Sequence, residues 1–166
     1  CFGPDADNAM LEGSKLRAKQ AMRNLSVPTA DFHVLDPSSD FNAALDDFSG
    51  KPWVIKRDVL AGGKGVVVTS DRDEAIEFIL QSIASDGKVL LEDFLPGEEA
   101  SMLVIMDESA AICLPPSQDH KRVGEGDVGL NTGGMGAYCP APVITDEVRD
   151  KVMERIVGPM HIGLSS

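Results

Sequence analysis

Apolar positions recur along the chain with two periods that take turns, and the alternation of helix-like and strand-like segments predicts an α/β fold. Ser14 is placed to cap a helix over Lys15 to Asn24, with Leu16, Ala18, Ala21, Met22 and Leu25 as its apolar face and Val27-Pro28 as its stop. Phe41, Ala44, Leu45 and Phe48 stand at i, i+3, i+4 and i+7 before Gly50, the spacing of a second amphipathic helix. Trp53 to Lys56 and the β-branched run Gly65 to Thr69 read as strands. The next helix, capped at Ser70 or Asp71, is expected to bury Ala75, Ile76, Ile79, Leu80 and Ile83. Strands return at Lys88 to Leu91, Ser101 to Met106 and Ala110 to Leu114. From Pro115 to Pro142 periodicity fades into Gly, Pro and polar residues, and a loop this long inside a compact domain is usually functional or disordered. Thr145 then caps a last helix through Val157, with Asp146 and Glu147 in the first turn, where carboxylates suit the helix dipole.

The length suits about one to one and a half domains with a proper hydrophobic core. A formal charge of -12 argues against DNA or RNA as partner, because that binding is largely electrostatic. Any cationic chemistry is therefore local. Cys1, Cys113 and Cys139 form no CxxC pair and leave an odd thiol, which speaks against a disulfide framework or structural zinc and fits a reducing cytosol. No run of eighteen apolar residues exists, so no transmembrane helix is expected. The chain opens without methionine, at Cys1-Phe2-Gly3-Pro4, and reads as the middle of a longer protein.

The glycine loop Ala61-Gly62-Gly63-Lys64-Gly65 removes the side chains that keep backbone amides away from phosphate oxygens, and Lys64 adds a charge. A plain β-turn is the bland alternative. The loop is not a Walker A motif, which needs glycine where Asp58 stands and a hydroxyl residue where Gly65 stands. Nor is it a dinucleotide fingerprint, since a strand follows it in place of a helix. A lid joining two strands is the phosphate-binding geometry that survives. Lys56 ends an apolar strand, where it either meets a partner or snorkels to solvent. In Leu91-Glu92-Asp93-Phe94-Leu95-Pro96-Gly97-Glu98-Glu99, the Pro96-Gly97 turn lets Glu92 and Glu99 face one pocket, with Phe94 and Leu95 as apolar contacts for a flat base. Ionised carboxylates accept two hydrogen bonds and suit ribose hydroxyls, although a solvated acidic turn is the usual fate of such charges.

A second constellation joins Ser117-Gln118-Asp119-His120-Lys121-Arg122 to Asn131-Thr132-Gly133-Gly134-Met135-Gly136-Ala137-Tyr138. Two cations, a histidine and a glycine-rich turn within one loop suit a phosphorylated substrate. Taken alone, His120 is more often a surface or core residue than a catalyst, and a purely structural loop is the alternative for the whole stretch.

These stretches, with Glu12-Gly13-Ser14-Lys15, Ile55-Lys56 and Gly97-Glu98-Glu99-Ala100-Ser101, resemble the phosphoribosylamine–glycine ligase family of ATP-grasp enzymes over nearly the whole chain. The resemblance implies a partial ATP-grasp fold, with residues 1–30 starting the core, 31–91 forming a lid subdomain and 92–166 starting the second lobe. It implies ATP, glycine and 5-phosphoribosylamine as small-molecule partners, a cytoplasmic location, and neither nucleic acid nor membrane. ATP would be held by Lys15, Lys56, Gly63, Lys64, Gly65, Glu92, Phe94, Leu95 and Glu99. Ser117, Gln118, His120, Asn131, Thr132, Gly133, Gly134, Met135 and Gly136 would hold the phosphoribosyl substrate, and Asp119, Lys121 and Arg122 would serve catalysis by positioning and charge neutralisation. Mg2+ or Mn2+ would act in the full-length enzyme through ligands outside this chain, so the chain alone is expected to be inactive.

Three departures accompany the resemblance. Lys56-Arg57-Asp58-Val59 replaces the usual Lys-Ala-Asp-Gly, Leu130 stands where proline is common, and the segment between Ile83 and Lys88 is short. Another ATP-grasp carboxylate–amine ligase and a non-catalytic nucleotide-binding module are the alternative functions.

Overall fold

The computed structural model describes residues 3–50, 52–60, 65–126 and 128–164, without the side chains of residues 128, 130 and 131. The chain divides into two compact units, residues 1–21 with 29–96 and residues 22–28 with 97–166.

In the first unit, α1 (Ala6–Gly13) and α2 (Lys15–Asn24) precede β1 (Phe32–Leu35), α3 (Phe41–Asp47), β2 (Trp53–Arg57), β3 (Val66–Thr69), α4 (Arg72–Asp86) and β4 (Val89–Glu92). The strands form one antiparallel sheet in the order β1-β4-β2-β3. Successive side chains of a strand point to opposite faces, and here that rule separates packing from chemistry. Trp53, Ile55, Val89 and Leu91 join Leu35, Ala44 and Leu45 and, from α4, Ala75, Ile79 and Ile83 in the buried core. The Trp53 indole donates to the Leu45 carbonyl at 2.8 Å, which satisfies its polar edge inside the core. Val54, Lys56, Leu90 and Glu92 take the opposite face, where Val54 pairs with Glu92 and Lys56 with Leu90 in register.

Local signals set the helix ends. Ser14 Oγ accepts from the Arg17 amide at 3.1 Å, as expected of a cap for α2. Asp71, not Ser70, caps α4 by accepting from the Asp73 and Glu74 amides. Gly87 closes α4 in the left-handed conformation, φ 77°, with its amide on the Ile83 carbonyl. Leu80 departs from its expected burial and is 52% exposed, because Ile79 and Ile83 already fill the stripe facing the sheet. On α2 the buried residue is Lys19 rather than one of the apolar residues.

The second unit holds a hairpin of β5 (Val104–Met106) and β6 (Ala111–Cys113), then β7 (Gln118–Asp119), β8 (Arg122–Gly124), β9 (Val128–Asn131) and β10 (Ala137–Tyr138). The expected strand from Ser101 is thus shorter, and Ser101 instead forms an isolated antiparallel bridge with Ser117. The stretch expected as a loop folds back twice, pairing β7 with β10 and β8 with β9. Thr145 caps α5 (Asp146–Val152), but the helix does not stop at Val157; a π-helical turn, Met153–Val157, leads into α6 (Gly158–Leu164).

Candidate functional site

In the first unit the chemistry gathers on one face of the antiparallel pair β2–β4. Lys56 and Glu92 lie on the same face at diagonal positions of neighbouring strands, within reach of a long side chain. Lys56 Nζ lies 3.0 Å from Glu92 Oε2, and Lys19 Nζ, arriving from α2, lies 2.8 Å from the same oxygen. Glu92 is only 2% exposed. The solvated-turn reading of Glu92 and the snorkelling reading of Lys56 are both overturned by this ion cluster. Burying a carboxylate is costly unless it is paired, and two ammonium groups supply the pairing. Oε2 takes both of them. Oε1 is buried and has no hydrogen-bond partner among the described residues.

Lys15 is half-buried at the start of α2 and donates to the Val59 carbonyl at 3.0 Å. Asp58, beside it, accepts from the Ser14 hydroxyl at 3.0 Å and the Leu16 amide at 3.0 Å, and pairs with Lys88 at 3.0 Å. Burial alone would raise the Asp58 pKa, but the Leu16 amide, Lys88 and Ser14 outweigh it and hold it below the ordinary value. Gly65 is buried, and its carbonyl accepts from the Arg57 amide at 2.8 Å, at the foot of the glycine loop. Gly63 and Lys64 lie outside the described residues. Phe94 is half-buried and Leu95 is 64% exposed, an uncovered apolar step just past Glu92.

The second unit brings another set together. Glu99 is exposed and lies 2.8 Å from Lys121 Nζ, with Asp119 Oδ2 at 3.7 Å. The Glu99 hydrogen bond raises the Lys121 pKa against the pull of burial, and Asp119 adds to the rise. The hairpin β7–β10 places Gln118, buried at 8%, against the Tyr138 hydroxyl, which donates to its side-chain oxygen. Backbone bonds from the Met135 amide to the His120 carbonyl (2.6 Å), the His120 amide to Gly136 (2.9 Å) and the Thr132 amide to Lys121 (2.6 Å) fold the two sequence motifs onto each other. Gly134, at φ 127°, donates to Thr132 Oγ1 at 3.0 Å, a backbone conformation that side chains rarely adopt. Added Cβ atoms at Gly133, Gly134 and Gly136 would meet nothing within 4 Å, so the turn presents open backbone. His120, Arg122 and Met135 line a concavity of about 280 Å³ with residues 123–126, and Arg122 Nη1 donates to the Gly129 carbonyl at 3.1 Å. Ser117 contributes backbone to the bridge with Ser101, and Asn131 pairs with Arg122 in register, its side chain lying outside the described residues.

Lys19 is the site residue that sequence reading missed. A lysine three residues from Leu16 on the expected apolar face is its signal, since a cation there needs a buried partner. Among the described residues no group of three or more His, Cys, Asp or Glu is arranged to hold a metal ion, and no helix is long and apolar enough to cross a membrane.

The family model described as "Phosphoribosylglycinamide synthetase, ATP-grasp (A) domain" matches residues 13–166. A phosphoribosylamine–glycine ligase of Mycobacterium tuberculosis is 48% identical over 164 residues, covering 96% of this chain and 39% of the relative. The crystal structure of phosphoribosylamine–glycine ligase from Thermotoga maritima superposes with a TM-score of 0.82 at 35% identity, over 98% of this chain and 42% of that one. A D-alanine–D-alanine ligase from Coxiella burnetii shares the fold alone, with a TM-score of 0.70 at 14% identity over 96% of this chain. The chain spans about two-fifths of the length of the relatives it matches.

Proposed function

The chain belongs to the phosphoribosylglycinamide synthetase ATP-grasp (A) domain family, and on that premise we propose that the whole protein carrying it joins glycine to 5-phosphoribosylamine, with cleavage of ATP to ADP and phosphate. In this reading the glycine carboxylate, a poor electrophile, is activated as an acyl phosphate; the amine attacks its carbonyl carbon and phosphate leaves, giving glycinamide ribonucleotide for purine synthesis. No protein nucleophile is required, and the residues act by positioning and charge neutralisation.

The observation that carries the nucleotide half is Glu92. A buried carboxylate oxygen without a partner is costly, and the exocyclic amine of adenine is the donor that would satisfy it. The cluster fits ATP chemically: acceptor for the base at Glu92, cations for phosphates at Lys56 and Lys15, and the Phe94-Leu95 step for the flat ring. Gly63, Lys64 and Gly65 complete the phosphate set in this proposal, and Glu99 the ribose contact. The second unit would take the phosphoribosyl substrate on residues 117–122 and 131–136, whose open glycine turn offers amides and whose Lys121 and Arg122 offer charge. Asp119 would orient Lys121. The proposed division is a core start at residues 1–30, a lid at 31–91 and a second lobe from 92. Mg2+ would be held by residues beyond those described, since no group of three or more His, Cys, Asp or Glu among the described residues is arranged for it. A cytoplasmic reaction with soluble substrates suits this chemistry.

The test is ADP release by the whole protein. Release that requires both glycine and 5-phosphoribosylamine supports the proposal. Release with a different amino acid or amine would instead make it another ATP-grasp ligase, and nucleotide binding without turnover would make it a binding module.

A further inference from the structure

Two lysines reach one carboxylate oxygen of Glu92, and they are not equivalent. Lys19 has oxygens on every donor: Glu92 Oε2 at 2.8 Å, Thr29 Oγ1 at 2.8 Å and the Ala30 carbonyl at 3.0 Å. The Phe32 ring lies 5.6 Å from its ammonium, and its side chain is 10% exposed. An ammonium has three N–H donors. Lys19 therefore has an acceptor for each, and leaving would strand a buried carboxylate. Lys56 is 30% exposed, and among the described residues Glu92 Oε2, at 3.0 Å, is the acceptor it has. Two of its donors remain for other acceptors. Two cations on one anion also leave the cluster with an excess positive charge, which an incoming anion would balance by drawing off the more loosely held lysine.

We propose that Lys19 is the fixed counterion and positioning residue of Glu92, while Lys56 is the exchangeable one, drawn from Glu92 to the phosphates when a nucleotide binds. The inference rests on the nucleotide reading above and extends it. Once Lys56 has left, Lys19 alone holds Oε2, and the orientation of Oε1 toward the base depends on it. Lys19 thus governs which base is accepted, and Lys56 governs how tightly any nucleoside triphosphate is held.

Calorimetric titration of the whole protein with ATP and with ITP separates the two roles, because ITP carries a carbonyl oxygen where ATP carries the exocyclic amine. The wild-type protein is expected to prefer ATP. Lys19→Met should shrink that preference by about tenfold or more, the scale of one charge-assisted contact. Lys56→Ala should weaken both nucleotides together and leave their ratio unchanged. Thr29→Val removes one acceptor from Lys19 without changing charge; it should shift the ratio in the same direction by less, and it decides the matter if Lys19→Met does not fold. An unchanged ratio in the folded Lys19 and Thr29 variants would overturn the inference, whatever happens to thermal stability, and so would a Lys56→Ala variant that shifts the ratio as Lys19→Met does. Both of those outcomes leave nucleotide binding intact. A wild-type protein that binds neither nucleotide would instead overturn the nucleotide reading itself, and this inference with it.

Discussion

Arg57 holds Asp86 with two parallel hydrogen bonds, Nε to Oδ2 at 2.7 Å and Nη2 to Oδ1 at 2.8 Å. The pair ties the end of β2 to the last residue of α4. A carboxylate at a helix C-terminus faces the negative end of the dipole, and the guanidinium offsets that placement. It also explains how the chain accommodates a charge where the resembling family usually has alanine.

The Arg57 hydrogen bond, with help from Ser85, brings the Asp86 pKa down to about 2. A carboxylate depressed in the folded state stabilises above its unfolded pKa, about 4, and loses that contribution as pH falls toward its folded value. Urea denaturation midpoints are expected to drop between about pH 4 and about pH 2. In Asp86→Asn this segment of the profile should flatten, and an unaltered profile would remove the pair from the stability account.

Ile79 and Leu80 are adjacent on α4 but differ in what they touch, the first fully buried in the core and the second 52% exposed. Ile79→Ala is expected to cost about 2–5 kcal/mol, whereas Leu80→Ala should stay within about 0.5 kcal/mol of wild type. Chemical denaturation of both variants checks the assignment of faces, and equal losses would contradict it.

Asp58 gathers Ser14, the Leu16 amide and Lys88 on one carboxylate. Asp58→Ala leaves these donors without their acceptor and is expected to destabilise by about 1–3 kcal/mol. Because Lys15 donates to Val59, the next residue, the variant should also weaken nucleotide binding if Lys15 meets phosphate. Stability by denaturation and affinity by calorimetry report the two effects separately.

Glu99 and Lys121 are both well exposed, at 69% and 41% of their side chains. Such a pair contributes about 0–1 kcal/mol to stability, so Glu99→Gln should leave the thermal midpoint nearly unchanged. If Glu99 takes ribose hydroxyls, the whole protein carrying this change should bind ATP about tenfold more weakly. Unaltered affinity would leave Glu99 as a partner for Lys121 alone.

Most of the first unit was legible because caps and periods agree there. Ser14 opens α2 at Lys15, Asp71 opens α4, and the apolar run Trp53 to Ile55 with Lys56 at its end forms β2 as a buried strand should. Two elements carried no readable pattern. The helix α1 buries none of its residues, so no apolar stripe marks it; β1 is four residues long with His33 exposed and paired to Asp47. The glycine-rich stretch of the second unit has the sequence pattern of a loop, since its strands are two to four residues long, too short for a period to show. At the site, Lys56 and Glu92 were legible as separate motifs. Their meeting depends on strand register, and the presence of Lys19 beneath them depends on how α2 crosses the sheet, neither of which a linear pattern encodes.

Ser14 ends α1 with its amide on the Met10 carbonyl, begins α2 by accepting from the Arg17 amide on its hydroxyl, and donates a hydrogen bond from that hydroxyl to Asp58 beyond β2. The residue after it is Lys15. The aim of the Lys15 ammonium is therefore surveyed from the sheet, with Ser14 as the joint of a tripod whose three legs are two helices and a strand. Motion in any one leg is constrained by the other two, so a shift at Asp58, just past β2, would be felt in the first turn of α2, where Lys15 stands.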